Sequence, residues 1–100
     1  MRTIINGKAY DTTTAIKLAD YDNGYFPNDF NAYRERLYKK KTGEYFLYGE
    51  GGALSLYAEC RGDGRCGGSK VSPLSEEAAK KWVERKLPEE YESIFGEVEE

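Results

Sequence analysis

The hydrophobic and polar positions change period three times along the chain, and each change predicts an element. Thr3 to Tyr10 alternates around Asn6-Gly7, the preferred pair for a two-residue hairpin turn, because both turn positions need a positive φ. Asp11 or Thr12 can then cap a short N-terminal helix whose apolar side is Ala15, Ile16, Leu18 and Ala19, stopped by Tyr21-Asp22-Asn23-Gly24. Tyr25 to Asp29 is a loop or turn. Phe30 to Lys39 leans towards a strand that Arg34, Glu35 and Arg36 make a solvated one, and Glu44 to Tyr48 is a second, rich in β-formers; the turn Lys40-Lys41-Thr42-Gly43 between them predicts a central antiparallel hairpin. Gly49-Glu50-Gly51-Gly52 is expected to break the sheet there. Ala53 to Glu59 fits a strand or a short helical turn equally well. Arg61 to Gly68 is a glycine-rich loop, and Ser69-Lys70-Val71 a short edge strand.

The clearest helix follows. Ser75 is its N-cap, Glu76 and Glu77 suit the positive end of the helix dipole, and Pro88 ends it. Ala78, Ala79, Trp82, Val83 and Leu87 form one apolar stripe for packing on a sheet. Glu89 to Phe95 predicts a shorter second helix with Tyr91, Ile94 and Phe95 inward and Gly96 beyond its end. The expectation is a single α+β domain over residues 1–100: an antiparallel sheet of about four or five short strands, packed by a C-terminal helix and a short N-terminal one.

Composition narrows the function classes. The 100 residues hold 14% aromatics, and nine of these are Tyr, which gives one core bulky filling. A chain of this size has little room for a deep walled cavity. There is no histidine, which removes the commonest general base near neutral pH and every His-dependent triad. Carboxylate pairs such as Glu50 with Glu59 or Asp63 remain, but 18 acids make such pairs expected by chance. No catalytic residue is assigned, and the chain is expected to act without enzymatic turnover.

No apolar run is long enough to span a membrane, and Met1 to Tyr10 lacks the apolar core of a secretion signal, so a cytoplasmic location is expected. The net charge of -3 is unevenly spread. Residues 1–74 carry eleven Lys/Arg against nine Asp/Glu, whereas residues 75–100 carry four against nine. The acidic end argues against a simple nucleic-acid binder.

Three segments are candidates for chemistry. Gly49-Glu50-Gly51-Gly52 can offer backbone N–H groups to an anion, but it lacks phosphate-loop spacing; a bend that only glycine fits is the simpler account. Cys60 and Cys66 are open to three readings: free thiols, a disulfide, or a zinc site completed by carboxylates or a second copy. No cofactor is required, and zinc is the candidate metal for this pair. The third segment is basic: Arg34, Arg36, Lys39, Lys40 and Lys41, interleaved with Tyr33 and Tyr38. Strand alternation places Arg34, Arg36 and Tyr38 on one face, with Tyr33, Glu35 and Leu37 on the other. Arg and Tyr are enriched at interface hot spots, and the combination also suits single-stranded nucleic acid. The candidate partner-binding residues are Arg34, Arg36, Tyr38, Lys39, Lys40 and Lys41.

About three quarters of the chain resembles a group of small proteins common on bacterial phages and mobile elements. The likeness lies in Asn23-Gly24, Asn28-Asp29-Phe30, Glu35-Arg36-Leu37-Tyr38, Lys41 to Leu47, Gly49 to Gly52, Tyr57-Ala58, Gly67-Gly68 and Pro73 to Ala78. Proteins of this sort include anti-CRISPR inhibitors. The resemblance therefore implies a stoichiometric inhibitor that binds a type II CRISPR effector nuclease in the bacterial host and blocks its DNA binding or activity. No inhibitory motif is carried over from the group to positions in this chain. The alternatives are a nucleic-acid-binding accessory protein of a mobile element and a small zinc-stabilised metalloprotein.

Overall fold

In a computed structural model, residues 2–26, 28–62 and 64–96 are described, apart from the side chains of Cys60 and Arg61. The first hairpin pairs β1 (Arg2–Ile5) with β2 (Lys8–Asp11), and Asn6 and Gly7 take φ of 51° and 77°, as a type I′ turn requires. The main sheet follows with β3 (Ile16–Asp22), β4 (Tyr33–Lys39), β5 (Tyr45–Gly51) and, after an intervening hairpin, β8 (Gly68–Leu74). All its neighbours are antiparallel, in the order β3-β4-β5-β8. The small hairpin β6 (Glu59–Arg61) and β7 (Gly64–Cys66) lies between β5 and β8 in sequence. Helix α1 (Glu76–Lys86), a 3-10 turn (Pro88–Glu90) and α2 (Tyr91–Phe95) complete the described chain.

The expected N-terminal helix does not form; its residues make β3 instead. The Asp11 carboxylate accepts from the Thr13 amide at 2.8 Å and the Thr13 hydroxyl at 2.6 Å, which bends the chain into a local turn. One bond from Ala15 N–H to Asp11 C=O follows at 3.1 Å and is not continued. Three consecutive Thr disfavour further helix, while β4 offers Ile16 to Asp22 a full ladder. A register shift between Lys17 and Ala19 marks a bulge at Leu18, so an apolar spacing that suits a helix also fits a bulged strand.

The glycine segment is corrected too: Gly49 to Gly51 continues β5 and does not break the sheet. A Cβ at Gly49 would overlap the hydroxyl end of the Tyr57 side chain, and one at Gly52 would lie 2.6 Å from the Phe30 carbonyl oxygen. These glycines admit neighbouring segments against the strand. Residues 53–58 form helical-type turns, with Ser55 N–H bonded to Gly52 C=O at 3.0 Å and Ala58 N–H to Ser55 C=O at 3.1 Å. The expected glycine-rich loop after Arg61 contains β7, and the expected three-residue edge strand extends over Gly68 to Leu74.

The sheet has two unlike faces. Ala19, Leu37, Tyr45 and Leu47 meet Ala79, Trp82 and Val83 of α1, and Leu87, Tyr91, Ile94 and Phe95 pack around them. Ser75 caps α1 by accepting from the Ala78 amide at 3.1 Å, as its sequence position predicts. On the other face the first hairpin covers one end: Tyr10 meets the Phe46 ring edge-on, Tyr38 stacks on Phe46 at 5.1 Å, and Val71 closes the cluster. Beyond that hairpin no described element covers the face. No described helix is long and apolar enough to cross a membrane.

Candidate functional site

Strand β4 is central to the open face because its residues alternate. Register places Asp20, Arg36 and Tyr48 in one row and Asp22, Arg34, Glu50 and Ser69 in the next. One Asp20 carboxylate oxygen accepts three cations: Arg34 Nη2 at 3.3 Å, Arg36 Nε at 3.5 Å and Lys17 Nζ at 3.6 Å. Arg36 Nη2 also reaches Glu50 Oε1 at 3.8 Å, while the Tyr48 hydroxyl donates to Glu50 Oε2 at 3.4 Å. The basic residues thus sit in a lattice of alternating charge. Between Arg34, Tyr48, Glu50 and Ser69 lies a shallow groove of about 500 Å³.

Two loops meet at the same end of the sheet. Leu54 N–H bonds to Phe30 C=O at 2.8 Å, and Gly52 N–H to Ala32 C=O at 2.9 Å, which ties the β3–β4 loop to the segment after β5. These loops expose Tyr25, Phe30, Leu54 and above all Phe26, at 81% of its surface. Large apolar side chains gathered at one exposed end mark an interaction surface.

The structure brings Arg34 and Arg36 together and disperses the other candidate residues. Tyr38 is on their face, as alternation predicts, but it is only 7% exposed beneath the first hairpin. Lys39 points to the helix side, its amine 5.5 Å from the Tyr45 ring centroid. Lys40 lies over the Tyr10 ring at 4.3 Å and pairs with Glu44 at 3.4 Å. Lys8 bonds the same carboxylate at 3.1 Å, which with Lys40 holds Glu44 below the usual glutamate range. Lys41 is exposed in the turn beyond β4, at the far end of the strand from Arg34.

For the cysteine pair, register sets Cys66 opposite Glu59 and Cys60 opposite Arg65. The Cys66 thiol donates to Glu59 C=O at 3.8 Å. The Cys60 side chain and Asp63 lie outside the described residues, among which no group of three or more metal-binding side chains occurs.

On the helix-covered face, sequence reasoning missed a polar cluster. Glu35 is 6% exposed, and both its carboxylate oxygens accept hydrogen bonds: Oε1 from Trp82 Nε1 at 3.2 Å, Oε2 from the Tyr57 hydroxyl. Burial, together with the Glu35 carboxylate it donates to, pushes the Tyr57 hydroxyl well above the ordinary tyrosine value. Lys86 donates to the Tyr33 hydroxyl at 3.2 Å and lies 4.9 Å from the Tyr21 ring centroid. That hydrogen bond holds the Lys86 amine above its usual value. The one available sequence signal was an acidic residue at an inward strand position, with a tryptophan on the apolar stripe opposite.

Comparison of the chain with protein-family models, curated proteins and solved structures gave no match.

Proposed function

We propose that this chain is a binding protein that occludes a surface of a protein partner, docking through the open end of its sheet. The observation that carries this role is the joining of the Asp20–Arg34–Arg36–Glu50 lattice to an exposed apolar end at Phe26, Phe30 and Leu54. A mixed-charge, half-apolar surface suits a protein, since charges of both signs fix register and apolar anchors supply affinity. Nucleic acid fits less well: a phosphate approaching Arg34 or Arg36 meets the Asp20 and Glu50 carboxylates already engaged there. A standard interface needs about 800 Å² per partner, a modest share of the 6773 Å² this chain exposes.

The resemblance to small phage and mobile-element proteins supports a specific partner, a type II CRISPR effector nuclease. The chain would then be an anti-CRISPR inhibitor acting in the bacterial cytoplasm by occupancy, without turnover. The test is titration of the pure chain into effector–guide RNA complexes from hosts of such elements, with calorimetry and target cleavage as readouts. Saturable binding with cleavage suppressed in fixed proportion to bound chain is expected. The charge-reversed pair Arg34→Glu/Arg36→Glu should lose both while keeping its melting temperature. Absence of binding and of inhibition overturns the CRISPR assignment, and undiminished binding by the reversed pair overturns the sheet-end surface.

A further inference from the structure

A second concavity lies on the helix-covered face of the sheet, between α1, β8 and the turns at residues 53–58. It is open to solvent and offers about 490 Å³, within the range of about 300–1,000 Å³ typical of small-molecule sites. Leu56, Tyr57, Leu74 and Trp82 give it apolar walls, and Leu56 overhangs it with 65% of its surface exposed. Three cations line it: Lys86, which donates to the Tyr33 hydroxyl, and Lys70 of β8 and Arg85 of α1, for which no ion pair occurs among the described residues. Among the described residues the Arg85 guanidinium makes one hydrogen bond, from Nε to the Lys81 carbonyl at 3.4 Å, which leaves its two terminal nitrogens to a ligand. The one carboxylate in the lining, Glu35, accepts from Trp82 through one oxygen and from Tyr57 through the other. Arg34 and Arg36 are compensated by Asp20 and Glu50, whereas Lys70 and Arg85 line a cleft whose one lining carboxylate, Glu35, is bonded to Trp82 and Tyr57.

We propose that this cleft binds an amphipathic organic anion. The acidic group sits between Lys70 and Arg85, and the apolar body lies against Leu56, Leu74 and Trp82. The orientation follows from charge: deeper in, the charge of Lys86 is offset by the buried Glu35 carboxylate, whereas the exposed Lys70 and Arg85 are the other charged lining groups. The apolar body gains by leaving water against surfaces that no other described element covers. This site shares no residue with the sheet-end surface, so the two proposals stand or fall separately.

Trp82, the chain's single tryptophan, is a built-in reporter in the cleft wall. The probe is 1-anilinonaphthalene-8-sulfonate, a fluorescent aryl sulfonate that accepts energy from tryptophan. Titration into the full chain should give saturable binding at one site, with Trp82 emission quenched as probe emission rises. The pair Lys70→Glu/Arg85→Glu should weaken that binding at least tenfold, and Lys70→Gln/Arg85→Gln should weaken it less. The reversed pair Arg34→Glu/Arg36→Glu should leave it unchanged. A cooperative melt of each variant separates this from general dye uptake by a loosened core. Absence of saturable binding overturns the site, as does equal binding by the Lys70/Arg85 variants or by the uncharged parent N-phenylnaphthylamine.

Discussion

The two faces of the main sheet are built from the same strands, yet they use charge in opposite ways. On the helix-covered side one carboxylate, Glu35, is buried and held by two directed hydrogen bonds, from Trp82 and Tyr57. On the open side the carboxylate of Asp20 is shared by three cations at 3.3 to 3.6 Å, with solvent close by. Burial makes the first arrangement intolerant, because a donor removed there leaves a charge without its partner. Exposure makes the second nearly neutral for stability, since water and salt replace any bond that is lost. A surface that contributes little to folding is free to serve recognition.

The sharpest break of this contrast is on the buried side. Leu37 is fully buried between the sheet and α1. Leu37→Ala should destabilise the fold by about 2–5 kcal/mol in denaturant titration, the range for emptied core positions. Next comes Gly49→Ala, which should cost about 1–3 kcal/mol because its methyl group displaces the Tyr57 ring. If Gly49→Ala proved neutral, the close approach of Tyr57 to β5 would not be required by the fold.

Tyr57→Phe sharpens the comparison at lower cost, about 1–2 kcal/mol, by leaving Glu35 with Trp82 as its donor. Because Gly49→Ala and Tyr57→Phe remove the same bond, the double variant should lose less than the sum of the two. The pH dependence has a definite sign. Tyr57 is raised from an ordinary value of 10.0 by burial and its bond to Glu35, and Lys86 from 10.5 by its bond to the Tyr33 hydroxyl. Both contributions are complete below these ordinary values and are lost as pH rises through the higher folded ones. Wild-type stability should therefore fall above about pH 10, and Tyr57→Phe should flatten that limb.

Legibility in the sequence follows the same division between local and distant causes. The first hairpin, the Ser75 cap, the stripe through Trp82 and the alternation of Arg34 and Arg36 against Glu35 are fixed by neighbours in the chain, and all were readable. Residues Ile16 to Asp22 were not, because a bulge at Leu18 gives a strand the apolar spacing of a helix. Gly49 looked like a sheet breaker because the ring that needs its missing side chain is eight residues away. The Glu35 cluster joins residues 22 and 47 positions apart, and no local pattern connects them. On the open face alternation located the two arginines, but the carboxylate that holds them comes from the very strand read as a helix. The basic patch therefore looked more cationic in sequence than it is in the fold.

The smallest stability effect belongs to that carboxylate, and it decides between partner classes. Asp20→Asn keeps the shape of the side chain while removing the charge shared by Lys17, Arg34 and Arg36. Four solvent-accessible side chains are involved, so the change should stay within about 0.5 kcal/mol. Recognition should respond much more. With Asp20 neutral, Lys17 and Arg34 lose the carboxylate they share and Arg36 keeps Glu50, so weak DNA binding with a steep salt dependence should appear in a shift assay where the wild type shows none. If the wild type already bound DNA with that dependence and Asp20→Asn left it unaltered, the carboxylate would not be screening the arginines from phosphate. The open face would then belong to nucleic acid, and its contrast with the buried face would be one of solvent exposure alone.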